Sequence, residues 1–293
     1  LPDQRRAVFC GLGAVLCWST VATAFKLSLA HLSPAQLLLV ASLVSWLFLG
    51  AVLALGGKWH LLWEGAPRDY LHSLALGCIN PLLYYLVLFR AYDLLPAQEA
   101  QALNYTWALT MALLAAPLLH HRLRPGELLA AGISYCGVVV IATRGQLLSL
   151  EFANPTGVGL ALLSTLLWAL YWILNTSERR DPVVALFLNF SFAVPLLFAW
   201  CLWRGEVQAM PWQGVAGAVY VGVFEMGLSF VLWLHAMRLT ASTIRISSLI
   251  FISPPLSLVF IHFVLGEEIL YSTLAGLALI LGGLALQHLL KGK

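Results

Sequence analysis

The chain has 293 residues, of which 61% are hydrophobic and only 10% charged, with a net charge of +3. Soluble domains carry roughly a quarter charged residues, so an ordinary soluble enzyme or binding module is excluded, and so small a positive excess in so apolar a chain is loop bias rather than a nucleic-acid surface. A mean hydropathy of +0.88 and apolar runs of about 20 residues, the length that crosses a hydrocarbon core about 30 Å thick as helix, define an all-α integral membrane protein with no room for a separate soluble domain.

Ten spans are predicted, at 7–30, 34–55, 70–90, 97–120, 126–143, 157–176, 182–203, 212–236, 241–264 and 271–290. The run after Arg5 and Arg6 has the length of a full span and lacks a cleavage site, so it is read as the first helix and not as a signal peptide. Pro and Gly punctuate the joints at Ser33-Pro34, Gly56-Gly57, Pro96, Pro125-Gly126, Asn154-Pro155, Asp181-Pro182 and Gly266, where helices stop or restart. The longer connection at 56–69 carries Trp59, His60 and Trp63 and is expected to lie along the interface. Cys10, Cys17, Cys78, Cys136 and Cys201 all fall inside spans without C-x-x-C or metal-ligand spacing, and are expected to be buried free thiols.

With the N-terminus inside, the inner side receives Arg5, Arg6, Lys58, Arg68, Arg122, Arg124, Arg179, Arg180, Arg238, Arg245, Lys291 and Lys293. The outer side receives Lys26, Arg90, Arg144 and Arg204. This bias predicts both termini in the cytoplasm. The chain also repeats itself: Trp18 matches Trp168, Ser33-Pro34 matches Asp181-Pro182, Asn80 matches Glu225, Ala91 matches Ala236, and Gly132 and Gly137 match Gly276 and Gly282. The units, 1–152 and 153–293, hold five helices each. Five is odd, so the second enters the membrane from the opposite side, giving an inverted-topology repeat of the kind that supports alternating access around a central cavity.

Polar and aromatic groups at mid-span mark that cavity. Asn104, Tyr105, Thr106 and Trp107 place amide, phenol, hydroxyl and indole groups where no water or headgroup reaches unless the interior is wet. Ser164, Trp168, Tyr171 and Asn175 recur at i, i+4, i+7 and i+11 on one helix face. Asn80 and Tyr84 are four apart beside Pro81, as are Gln101 and Tyr105, and Trp18 lies mid-helix. The rings can box an apolar side chain and attract an ammonium, while Asn80, Asn104, Ser19 and Thr20 can serve a carboxylate. Each of these side chains also fits plain interhelical bonding or gap filling; their clustering at one depth favours a pocket.

Glu225 is an acid near the middle of a span. A charge there costs about 2.5 to 3.5 kcal/mol on insertion scales, so it faces the cavity, finds a partner or is protonated. It can bind a substrate ammonium or carry a proton, whereas its repeat mate Asn80 cannot titrate. Glu99, Lys26, Arg245, His235 and His262 lie nearer span ends, where snorkelling or interface contacts explain them. Glu267 and Glu268 are expected to complement the dipole of the last helix, and His120-His121, beside a basic loop, to be solvated. Pro81, Pro117, Pro195, Pro254 and Pro255 lie inside spans, where kinks are expected; Pro254 and Pro255 are the candidate hinge.

The runs Ala236-Met237-Arg238-Leu239-Thr240-Ala241-Ser242, Ile252-Ser253-Pro254-Pro255 and Leu265-Gly266-Glu267-Glu268, followed by Gly276 to Gly283, resemble the closing half of an EamA repeat in the drug/metabolite transporter superfamily. The likeness extends over essentially the whole chain, and Ala100 to Trp107 is similar to the YddG-type aromatic amino-acid exporters within that family. The first half departs from the pattern, with His120-His121-Arg122 where the second has Gly-Glu-Glu and Trp107-Ala108 near the place of Pro254-Pro255. The resemblance implies ten helices in two inverted halves around a cavity and a metabolite as cargo, without fixing which one.

No nucleophile with a base, H-E-x-x-H pair, Asp-rich metal site or phosphate cradle occurs in the sequence, so neither an enzyme nor an ATP-driven pump is expected, and no cofactor or metal. The expectation is a secondary exporter of aromatic or other neutral amino acids in a bacterial inner membrane, among lipid and able to act as a monomer. The alternative is an exporter of cationic drugs or other small metabolites, with Glu225 reading positive charge.

Overall fold

The computed structural model describes residues 3–118, 125–148, 152, 154–240 and 246–291. Among the described residues there are helices and turns and no strand. In chain order the helices are α1 (Gln4–Leu29), α2 (Pro34–Leu55), α3 (Pro67–Leu94), α4 (Ala97–Asn104), α5 (Trp107–Leu118), α6 (Pro125–Ala142), α7 (Pro155–Asn175), α8 (Pro182–Trp203), α9 (Trp212–Leu239), α10 (Ser248–Leu265) and α11 (Tyr271–Lys291). Among the described residues nine of them are long and apolar enough to cross a membrane, and the short pair α4 and α5 are not. His120, His121, Arg122, Arg124, Ala241, Ser242, Arg245 and Lys293, on which parts of the sequence reading rest, lie outside the described residues.

The starts follow from local chemistry. Ser33 caps α2 in a reciprocal box, its hydroxyl accepting from Gln36 N at 3.2 Å while Gln36 Oε1 accepts from Ser33 N at 2.9 Å. Asn154 caps α7 and Asp181 caps α8 through side-chain oxygens that accept from Gly157 N and Val183 N, both at 2.9 Å. All three caps precede a proline whose missing N–H would have had no partner in the first turn anyway. Between α2 and α3, Trp59–Trp63 forms one 3-10 turn, with Trp63 78% exposed. The thiols are free, but only Cys201 is buried; Cys136 is exposed and the other three are half-buried. The expectation of buried thiols thus fails for four of them, because a small apolar thiol is as compatible with a lipid-facing surface as with a core.

Irregular backbone is confined to a few places. The expected continuous span at 97–120 is broken at Tyr105 and Thr106: Thr106 N bonds to Leu103 O at 3.2 Å, and the Thr106 hydroxyl donates to the same carbonyl at 2.8 Å, the local competition by which Thr interrupts a helix. The middle of α3, Cys78–Leu83, widens into a π turn in which Asn80 leaves helical conformation (φ −135°, ψ 114°), because Pro81 supplies no N–H. The middle of α9, Val221–Leu228, widens likewise and carries Glu225. In α10 a 3-10 turn at Ser248–Ile252 precedes the α-helical stretch Ser253–Phe260, and the helix ends in a wide turn at Ile261–Leu265. Pro254 and Pro255 therefore stand in the first turn of a helix, where proline is tolerated, and not at a mid-helix kink.

Helices from early in the chain pack on helices from late in it, in matching pairs. Helix α1 packs on α9 and α10, and α7 packs on α3 and α5; α2 packs on α9 and α3 on α8; α2 meets α8, and α6 meets α11. The glycines at the widened turns show the same exchange. A Cβ on Gly77 would stand 2.4 Å from Asn189 O of α8, and one on Gly222 would stand 2.5 Å from Ala41 O of α2. Both turns lie flush against a neighbouring backbone, the close approach by which membrane helices gain contact without a hydrophobic drive between them.

Gly222→Ala is therefore expected to lower the melting temperature of the purified protein, since overpacking against backbone costs about 1 to 3 kcal/mol. Gly282→Ala, with nothing within 4 Å of the added carbon, is expected to leave it unchanged or raise it. Thermal denaturation of both variants in one detergent checks this.

Candidate functional site

A cavity of about 210 Å³ lies among α1, α3, α4, α5, α7, α9 and the residues leading into α10. Helix α1 contributes Trp18, Val21, Ala22 and Phe25, one helical face at i, i+3, i+4 and i+7. Helix α3 adds Tyr84, Leu88 and Tyr92; α4 adds Gln101 and Asn104; Tyr105 and Trp107 follow at the break. From the second half come Trp168 and Trp172 of α7, Glu225, Phe230 and Trp233 of α9, and Ser247 and Ile250. The five-residue step from Glu225 to Phe230 shares a face because the wide turn of α9 lies at that point.

Trp168 is the hub of the wall. It stacks on Tyr84 at 4.5 Å and on Tyr171 at 5.6 Å, and meets Trp107 at 6.5 Å, Trp172 at 5.9 Å and Phe230 at 6.2 Å edge to face. Trp18 closes the opposite side against Phe230 at 6.2 Å and Trp233 at 5.3 Å. Ring pairs in these geometries add about 0.5 to 1.5 kcal/mol each beyond their area. The wall is thus preformed and stiff.

Polar groups in it are few. Glu225, 9% exposed, accepts from the Tyr85 hydroxyl at 3.0 Å through Oε1, while Oε2 has no partner among the described residues. Gln101 Oε1 and Trp172 Nε1 also lack partners there. Asn104 Nδ2 donates to Ser164 Oγ at 2.9 Å, and the Ser164 hydroxyl donates to Ala161 O at 2.6 Å.

Of the residues singled out from sequence, Trp18, Tyr84, Asn104, Tyr105, Trp107, Trp168 and Glu225 share this one wall. Asn80, Ser164 and Tyr171 do not line it. Asn80 is buried with Oδ1 unpartnered, because the non-helical backbone there turns it into the protein; Ser164 lies behind Asn104; Tyr171 backs Trp168 and opens on a second, smaller cavity. Ser19 and Thr20 are engaged elsewhere, with Ser253 at 3.3 Å and Tyr220 at 2.6 Å, and bond helices together. Phe25, Tyr92, Trp172, Phe230 and Trp233 were missed. Their signal is helical spacing from residues already chosen: Phe25 is i+7 from Trp18, and Trp172 is i+4 from Trp168.

One end of the bundle is tied by ionic and backbone contacts. Lys26 Nζ donates to Tyr92 O at 2.7 Å and Leu95 O at 2.9 Å, where α3 ends and its carbonyls have no helical partners. Glu267 does not serve its own helix as expected. Its carboxylate accepts from Ala97 N at 2.9 Å and Gln98 N at 3.3 Å at the start of α4, because α11 begins only at Tyr271. Glu99, expected to snorkel or to make interface contacts, is buried and accepts from Arg144 Nε at 2.7 Å.

Helices that span a membrane around an aromatic chamber, with one unsaturated carboxylate in the wall, define a membrane protein built to enclose a small molecule. The chain belongs to the EamA-like transporter family, whose model matches residues 5–143 and again 155–287. It is therefore a multi-pass membrane transporter of a small-molecule substrate. It is 27% identical to the aromatic amino acid exporter YddG of Ancylobacter novellus, over 98% of this chain and 99% of that protein. It is 24% identical to an uncharacterized transporter of Archaeoglobus fulgidus (93% of each chain) and 25% identical to the uncharacterized transporter YvbV of Bacillus subtilis (98% and 92%). A solved crystal structure shares the fold with a TM-score of 0.67 at 24% identity, over 97% of this chain and 96% of that one.

Tyr85→Phe removes the donor to Glu225 and is expected to destabilise the protein by about 1 to 3 kcal/mol, the cost of a buried acceptor left unpaired. Glu225→Gln alone is expected to cost less. In the double variant the Tyr85→Phe penalty shrinks, and a thermal-denaturation cycle of the four proteins measures the coupling.

Proposed function

We propose that this transporter exports amino acids, aromatic or other neutral apolar ones, by alternating access through the central cavity. The observation that carries the reading is the wall itself: Trp18, Tyr84, Tyr105, Trp107 and Trp168 around one chamber with Glu225, whose second carboxylate oxygen has no partner among the described residues. Rings hold the apolar side chain, Glu225 takes the ammonium, and the amide N–H groups of Gln101 and Asn104 take the carboxylate. Ser164 and Tyr171 hold Asn104 and Trp168 from behind. The likeness to an aromatic amino acid exporter supports the same substrate class.

The frame we propose is ten spans, with α4 and α5 forming one broken span, in two inverted halves of residues 1–152 and 153–293. Reciprocal packing, the doubled family match and the paired irregular turns at Asn80 and Glu225 support it. The excess of Lys and Arg on the side of the N-terminus supports cytoplasmic termini in a bacterial inner membrane. Each chain encloses its own cavity, so a monomer suffices. Glu225 is the group through which proton coupling would act.

A second reading, export of cationic drugs, is favoured by the same unpaired carboxylate. Uptake of labelled tryptophan, methionine and threonine into proteoliposomes, with and without a pH gradient, tests both. Saturable amino-acid uptake is expected, reduced about tenfold or more in Tyr105→Ala/Trp107→Ala, the equivalent of roughly 1.4 kcal/mol. Glu225→Gln is expected to retain some amino-acid uptake while losing its response to the gradient. Absence of amino-acid uptake by folded protein, with cation uptake that Glu225→Gln abolishes, would move the conclusion to the second reading.

The junction at Pro254 and Pro255 is the proposed hinge, since a 3-10 turn meets an α-helix there. Replacing both prolines with Ala is expected to slow turnover with little change in substrate affinity, measured by transport and equilibrium binding side by side. Unchanged turnover would remove the hinge.

A further inference from the structure

A smaller cavity of about 90 Å³ lies between the end of α7, the start of α8 and the later turns of α9. Trp172 and Phe230 stand in its wall and also in the wall of the central cavity, so these two side chains form a partition between the chambers. Its polar lining is Tyr171, Asn175, Glu178 and Arg180.

The hydrogen-bond account of this lining is one-sided. Arg180 Nε donates to Glu178 Oε1 at 2.9 Å; Nη2 donates to Glu178 Oε2 and to Ser73 Oγ, the latter at 2.8 Å. Nη1 is buried and has no acceptor among the described residues. Glu178 has little left to offer. Its Oε1 already accepts the backbone N–H groups of Arg179 and Arg180, both at 2.9 Å, and hydrogen bonding from Arg180 holds its carboxyl below the usual range, so it stays ionised and bound. Trp172 Nε1 in the partition is a second buried donor without a partner. Leaving such donors unmet costs about 1 to 3 kcal/mol each, more for a charged group. Glu178 and Ser73 already take the Nε and Nη2 donors of the guanidinium, so a ligand that relieves both unmet groups brings one oxygen acceptor to Nη1 and one to Trp172 Nε1, and the positive charge on the guanidinium favours an anionic oxygen there.

We propose that this chamber is a second binding site, which takes a carboxylate on Arg180 and Trp172 ahead of the central cavity. It deepens the amino-acid export reading and rests on it for the substrate. In that reading the chamber lies on the cytoplasmic side, where cargo arrives. Its volume admits the polar head of an amino acid, leaving the apolar part against Trp172 and Phe230.

The test uses the full chain in lipid nanodiscs, modified with phenylglyoxal and read by mass spectrometry at each arginine, with benzoate and benzamide as probes. Benzoate near four times its half-saturating concentration is expected to slow modification of Arg180 about fivefold, benzamide is expected not to, and exposed Arg68 is expected to react alike in all cases. Equal Arg180 rates with and without benzoate, or an Arg180 that never reacts while Arg68 does, would overturn the site. Amino-acid uptake on the same preparation separates the two readings. Benzoate protection without amino-acid transport leaves the site standing and removes the export reading; transport without protection does the reverse.

Discussion

Inside a bilayer every backbone N–H and C=O needs a partner within the protein or in enclosed water, and this constraint explains where the chain is irregular. Among the described residues the interruptions fall at Asn80 in α3, at Tyr105 and Thr106 between α4 and α5, at Glu225 in α9, and at Ser248 to Ile252 and Ile261 to Leu265 in α10. Tyr105, Glu225 and Ile250 line the central cavity, and Asn80 lies one turn from Tyr84, which does. The wide turn at Ile261–Leu265, where α10 ends, is the one of these that lies away from the cavity. The wide turn that spends backbone regularity at Glu225 is held by the Ser229 hydroxyl, which donates to Glu225 O at 2.6 Å, and by Gly222 seated on the backbone of α2.

Much of this was legible because composition and period are properties of a single chain. Apolar run lengths gave the nine long helices, and Ser33, Asn154 and Asp181 announced their own caps. The cavity was legible for a related reason: Trp107, Trp168 and Glu225 are energetically out of place at mid-depth unless something encloses them. The break after Asn104 was not legible, since Thr106 is common in helices and only its bond back to Leu103 O interrupts this one. Neither was the role of Glu267, because sequence places it just before α11 while space places it at the start of α4, far away along the chain. Asn80 and Tyr171 were misplaced for the same kind of reason. A helical wheel assigns a face but does not say which neighbour stands on that face.

The two stretches that match the family, residues 5–143 and 155–287, carry similar wide turns and differ in chemistry. Gly77 and Gly222 make similar close approaches, Gly77 just before the turn that carries Asn80 and Gly222 inside the turn that carries Glu225. Asn80 is buried in protein, whereas Glu225 reaches the chamber and is held by Tyr85 from the other half. Trp18 and Trp168 are likewise matched in position, yet Trp168 gathers five rings and Trp18 two. A substrate in a chamber with one carboxylate and one dense aromatic side has a single preferred orientation, which a symmetric chamber would not impose. In the proposed export cycle, then, matched backbones give the halves equivalent ways to move, and the mismatch between Asn80 and Glu225 fixes which way round the cargo travels.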